Sequence, residues 1–135
     1  MGVQVFTIST DSKFVHMKWD EFELCKLIDG GFPFPMLSDV MGNVGKPYGV
    51  YDDDSGLYLR GTIIIDPEGI VQLISVNVPP LGRDAGEIVR EFRALQESTA
   101  TGKVAPAGWK PGEDLLEPKP ENAGNVWKTY KSRKK

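Results

Sequence analysis

The stretch Gly56-Leu57-Tyr58-Leu59-Arg60-Gly61-Thr62-Ile63-Ile64-Ile65-Asp66-Pro67-Glu68-Gly69-Ile70-Val71-Gln72-Leu73-Ile74-Ser75-Val76 decides how the rest of the chain is read. It has the pattern of two apolar strands joined by a tight turn. Residues 62–66 are an almost unbroken apolar run rich in β-branched side chains, which predicts a strand covered on both faces. Asp66-Pro67-Glu68-Gly69 supplies the turn: Asp favours its first position, Pro pre-sets φ at the second and Gly suits the fourth. One cation, Arg60, enters at the mouth of this hairpin. An arginine there is either a surface residue or the edge of a site.

Upstream, Val3-Gln4-Val5-Phe6-Thr7-Ile8-Ser9 alternates apolar and polar residues and reads as a strand. Thr10-Asp11-Ser12 offers capping oxygens for a helix from about Lys13, with Val15, Trp19, Phe22 and Cys25 along one side at roughly helical spacing. On that stripe Cys25 reads as a small packed apolar residue rather than a nucleophile. Asp29-Gly30-Gly31 ends the helix, and Phe32-Pro33-Phe34-Pro35 is extended because a residue before proline is pushed out of the α region. Val40 to Val50 predicts a short helix or turn. Asp52-Asp53-Asp54-Ser55-Gly56 is an acidic loop without the alternating oxygens and closing glutamate of a calcium loop.

Downstream, Asn77-Val78-Pro79-Pro80-Leu81-Gly82-Arg83 is a loop, and Asp84 caps a helix with Glu87 at the spacing of an acidic capping box. Ala85, Ile88, Val89, Phe92 and Leu95 give that helix its apolar face. From Thr99 the chain is a tail rich in Pro and Gly that nonetheless carries Trp109 and Trp127, an arrangement that predicts docking of the aromatics.

Composition narrows the function. The 135 residues fit one domain, with 40% apolar and 26% charged residues, and a net charge of −3 gives no global attraction to nucleic acid. Lys128, Lys131, Arg133, Lys134 and Lys135 form a basic end of the kind that is usually solvated. No apolar run approaches a membrane span and no signal peptide opens the chain, so the expected location is cytoplasmic. A single cysteine and a single histidine, Cys25 and His16, leave no intrachain disulfide and no His/Cys metal centre. A Ser-His-Asp arrangement stays formally open, although no G-x-S-x-G pattern occurs, and Gly42-Asn43-Val44-Gly45 does not extend to a phosphate-binding loop.

Several segments together resemble a peroxiredoxin of the typical 2-Cys class, the alkyl hydroperoxide reductase type. They are Val5-Phe6-Thr7-Ile8-Ser9-Thr10-Asp11-Ser12 with His16 and Trp19, then Pro35-Met36-Leu37-Ser38-Asp39, Tyr48-Gly49-Val50 and Leu59-Arg60-Gly61-Thr62-Ile63-Ile64-Ile65-Asp66. Gly82-Arg83, Pro106-Ala107-Gly108-Trp109-Lys110-Pro111-Gly112 and Trp127-Lys128-Thr129-Tyr130 complete the order. The resemblance runs over the family's C-terminal two-thirds. It implies an α/β, thioredoxin-like fold lacking its N-terminal strands and cysteine helix. Residues 1–98 would form the partial domain and 99–135 an extended C-terminal tail.

The resemblance also implies a thiol or selenol peroxidase that reduces hydrogen peroxide and organic hydroperoxides. Its expected partners are the peroxide, an external thiol reductant of thioredoxin type, and further copies in a homodimer or higher oligomer. No cofactor, metal, nucleic acid or membrane is expected. Arg60 would be the arginine that favours the peroxidatic thiolate and stabilises charge as the oxygen–oxygen bond breaks, with Arg83 a second arginine nearby.

The family's P-x-x-x-T-x-x-C motif lies upstream of the first matching segment, Cys25 falls in no matching motif, and Ala105 stands where a resolving cysteine is usual. The chain alone is therefore expected to be inactive. Without a central strand it is also expected not to be a stable monomer, pairing instead with another copy or an N-terminal partner, or existing as a fragment. A selenocysteine codon upstream of Met1, misread as a stop, is one explanation, and a frameshifted gene is another. The competing reading is a non-catalytic peroxiredoxin-like assembly module, pairing through strand 70–76 and its Trp-bearing tail.

Overall fold

The computed structural model describes residues 2–129, and the chain divides into two compact units, Met1–Arg83 and Asp84–Lys135. The first is an α/β unit. Strand β1 (Thr7–Ser9) leads through the N-cap Ser12, whose hydroxyl accepts from the Val15 N–H, into helix α1 (Lys13–Trp19). A π-helical turn, Asp20–Leu24, then passes into α2 (Cys25–Leu27). The chain returns as β2 (Met36–Ser38), parallel to β1 with Ile8 opposite Leu37.

Turns rather than a helix fill residues 40–49, organised by Asp39: its carboxylate accepts from the N–H groups of Asn43, Val44 and Gly45. A small antiparallel pair, β3 (Tyr51–Asp52) and β4 (Leu57–Tyr58), encloses the acidic loop. The long hairpin follows as β5 (Arg60–Ile65) and β6 (Val71–Asn77). Its turn closes as the sequence predicts, with the Gly69 N–H on the Asp66 carbonyl and Gly69 at φ +83. Asp66 Oδ1 also accepts from the Glu68 and Ile70 N–H groups, and the register slips once between Ile64 and Ile65.

Three expectations fail in this unit. The strand over residues 62–66 is not covered on both faces, because Ile65 is exposed although Ile64 is buried. The first strand is shorter than residues 3–9. The stripe Val15, Trp19, Phe22, Cys25 is exposed, and the helix instead buries His16 and Leu24. The π turn accounts for part of this, because it adds a residue to the helical path and rotates everything after it against the 3.6-residue period. Among the described residues no ladder joins β1 to β5, so their strands do not form one continuous sheet.

The second unit is built on α3 (Ala85–Thr101). Asp84 caps it by accepting from the Gly86 and Glu87 N–H groups, and Gly102, at φ +68, ends it. The reciprocal half of the expected capping box does not form. Glu87 turns along the helix to receive both Nε and Nη2 of Arg90, which holds its carboxyl below the usual range. Arg90 Nη1 then donates to the Trp109 carbonyl. Trp109 is fully buried, its indole N–H on the Glu113 carbonyl, so the docking expected of it is met; Trp127 remains largely exposed. The tail adds a bridge between Val104 and Leu116, a 3₁₀ turn at Pro120–Asn122 and α4 (Val126–Thr129). The rest of the basic end, residues 131–135, lies outside the described residues.

Candidate active site

The start of β5 rests on Val50. Val50 is 3% exposed, and its carbonyl accepts the Leu59 N–H at 2.8 Å. Gly61 then passes so close that a Cβ built on it would lie 2.6 Å from Val50 Cγ1, which is why the residue after the arginine has no side chain. The Arg60–Gly61 segment is thereby fixed on a buried anchor while Arg60 itself points to solvent.

Two guanidinium groups attach to this segment. Arg60 Nε donates to the Pro79 carbonyl, and Arg83 Nη1 donates to the Gly61 carbonyl at 2.7 Å. Among the described residues no carboxylate lies within ion-pair distance of either arginine. Both sequence-derived candidates therefore meet at one place, the mouth of the hairpin, as uncompensated cations braced by backbone oxygens. Such a pair can hold an anion or an oxygen on which negative charge develops.

Sequence reasoning did not single out the residue paired with Arg60 across the hairpin. Asn77 stands directly opposite Arg60 in the hairpin register, and its Nδ2 donates to the Gly82 carbonyl.

The other chemistry-bearing residues sit elsewhere in their own networks. Cys25 Sγ donates to the Glu21 carbonyl of its own helix at 2.8 Å and is exposed, not packed as expected. Ser9, Asp11 and His16 do cluster, but in the wrong order for nucleophilic catalysis. The Ser9 hydroxyl lies between Asp11 Oδ2, 3.1 Å away, and His16 Nε2, 2.7 Å away, so the imidazole does not bridge serine and carboxylate. The Tyr58 hydroxyl donates to Asp39, which lowers the Asp39 pKa; burial first and this bond second push the Tyr58 hydroxyl well above its ordinary range. Among the described residues no cluster of three or more His, Cys, Asp or Glu side chains is arranged to hold a metal. No described helix is long and apolar enough to cross a membrane.

Residues 1–74 match the family model described as AhpC/TSA family, and residues 94–132 match the C-terminal domain of 1-Cys peroxiredoxin. The chain belongs to the peroxiredoxin family. It is 48% identical over 132 residues to the selenocysteine-containing peroxiredoxin PrxU of Peptoclostridium acidaminophilum, covering 96% of this chain and 65% of that protein. It is 40% identical over 120 residues to human peroxiredoxin-4, covering 89% of this chain and 44% of the relative. The solved structure of reduced 2-Cys peroxiredoxin from Plasmodium vivax superposes with a TM-score of 0.82 at 36% identity, over 92% of this chain and 64% of the other. The fold is accordingly thioredoxin-like, and this peroxiredoxin chain spans about two-thirds or less of the length of these relatives.

Proposed function

We propose that this chain supplies the arginine side of a peroxidase site, acting on hydrogen peroxide and organic hydroperoxides. The supporting observation is the pair of cations at the β5 mouth, Arg60 and Arg83, each tied to a backbone carbonyl and neither within ion-pair distance of a carboxylate among the described residues. In the reaction a thiolate or selenolate attacks the terminal peroxide oxygen and the oxygen–oxygen bond breaks. The departing alkoxide or hydroxide takes a proton, and the nucleophile is left as sulfenic or selenenic acid. Arg60 holds the peroxide and stabilises the charge that builds on the leaving oxygen. A nearby guanidinium also keeps the nucleophile ionised. Two equivalents of external thiol, of thioredoxin type, are oxidised to a disulfide as they return the nucleophile to its starting state and release water.

Cys25 is not that nucleophile in this reading, because it is engaged with its own helix. A residue outside these 135 provides it. The 48% identity to a selenocysteine-containing relative favours selenium at that position. Ala105 in place of a resolving cysteine favours a cycle that depends on external thiol throughout. We place the protein in the cytoplasm, assembled as a homodimer or larger through the β6 edge.

Peroxide consumption with a thiol reductant tests the reading, with the nucleophile-bearing segment present. Arg60→Ala is expected to lower kcat/KM by about a hundredfold, the scale of removing one fixed donor from a developing charge. Cys25→Ser is expected to change it little. Equal activity in Arg60→Ala and the parent protein would overturn the assignment.

A further inference from the structure

We infer that Asn77 is a positioning residue, and that the loop from Val78 to Arg83 is a clamp that fixes which edge of the Arg60 guanidinium faces the substrate. The inference rests on the reading of Arg60 given above and adds the part that aims it.

Arginine can present either its Nη1–Nη2 edge or its Nε–Nη edge to a pair of oxygens. Here the Pro79 carbonyl occupies Nε. What remains for a ligand is the outer edge, with the two Nη groups side by side. The direction of Arg60 is therefore set by where the Pro79 carbonyl points, and three ties hold that carbonyl. The Leu81 N–H closes a turn on the Val78 carbonyl at 2.9 Å, with Pro79 and Pro80 between them at fixed φ. Asn77 Nδ2 reaches across the loop to the Gly82 carbonyl at 3.3 Å. Arg83 Nη1 fastens the far end to the Gly61 carbonyl, one residue from the arginine being aimed.

Asn77 is the tie that joins loop to strand from the hairpin side. It is the last residue of β6 and the register partner of Arg60, so its backbone is fixed by the ladder that fixes Arg60. Without its amide, the loop keeps one end on the strand and loses the bond that closes its base. The Pro79 carbonyl then wanders, Arg60 Nε is freed, and the guanidinium samples both edges.

Side-chain nuclear magnetic resonance of the full chain reads this directly. The Nε–H signal of Arg60, assigned by its loss in Arg60→Lys, is compared with that of Arg93, which is exposed. Solvent exchange of the Arg60 Nε–H is expected to be roughly tenfold slower than that of Arg93, the scale of one retained hydrogen bond. Asn77→Ala is expected to remove most of that difference while the backbone amide spectrum of β5 and β6 stays in place. Asn77→Gln, which keeps the donor on a longer arm, is expected to restore part of it. Equal exchange of Arg60 and Arg93 in the unaltered chain overturns the clamp without need of any variant, and so does slow exchange that survives Asn77→Ala. The readout involves no turnover. A clamped Arg60 whose replacement leaves peroxide consumption intact refutes the peroxidase reading alone, and a mobile Arg60 that is essential for turnover refutes the clamp alone.

Discussion

At the scale of single residues, the missing side chain of Gly61 matters as much as the guanidinium beside it. Gly61→Ala drives a methyl group into Val50 Cγ1, and overpacking of this kind costs about 1–3 kcal/mol. Denaturant unfolding is expected to show that loss, and to show a smaller one when the same change is made in a Val50→Ala background. Asp39 and Tyr58 give a second test. Asp39 is lowered, so what it contributes is complete above the ordinary carboxylate value of about 3.9 and is lost as pH falls below it. Tyr58 is raised, so its contribution is complete below about pH 10 and fades as pH climbs from there towards its folded value. Tyr58→Phe is therefore expected to melt below the parent chain at pH 7, with the gap closing above pH 10 in thermal melts across that range. Arg60 and Arg83 entered as candidates through their place in motifs that resemble the family. Asn77 was not legible in the sequence, because counting outward from the Asp66–Gly69 turn puts it opposite Arg60 only after allowing for the one-residue register slip at Ile65.

At the scale of elements, local signals read well wherever the chain satisfies itself. The Asp66–Gly69 turn and the Asp84 cap close with nearby backbone, so their residues dictate their geometry. Asp84→Ala is expected to cost about 1 kcal/mol of stability, seen as a lower denaturation midpoint for α3. The capping box failed in its second half because Arg90, three residues on, offers Glu87 a charged fork that a cap N–H cannot match. The first helix misled for another reason. Apolar spacing shows which face of a helix is suited to burial, not what covers it, and Val15, Trp19 and Phe22 lie open. The same holds for residues 62–66, whose composition suits a strand covered on both faces.

At the scale of the whole molecule, β1 and β5 each have one hydrogen-bonded neighbour among the described residues, where β6 also lies at an edge with Val71, Ile74 and Val76 exposed. Unpaired edges beside apolar side chains favour association. The 135-residue chain is expected to sediment as a concentration-dependent mixture and to melt at a temperature that rises with concentration. A concentration-independent, cooperative melt of a clean monomer would contradict this. Among the described residues only Leu24, Val50, Ile64 and Trp109 are buried apolar side chains. That sparse interior has a calorimetric signature. Unfolding newly wets little oily surface, so the heat-capacity increment per residue should fall well short of the usual 12–15 cal/mol/K or so. The stability curve is then broad and shallow, and cooling or warming the chain changes its folded fraction less than the sequence length alone suggests.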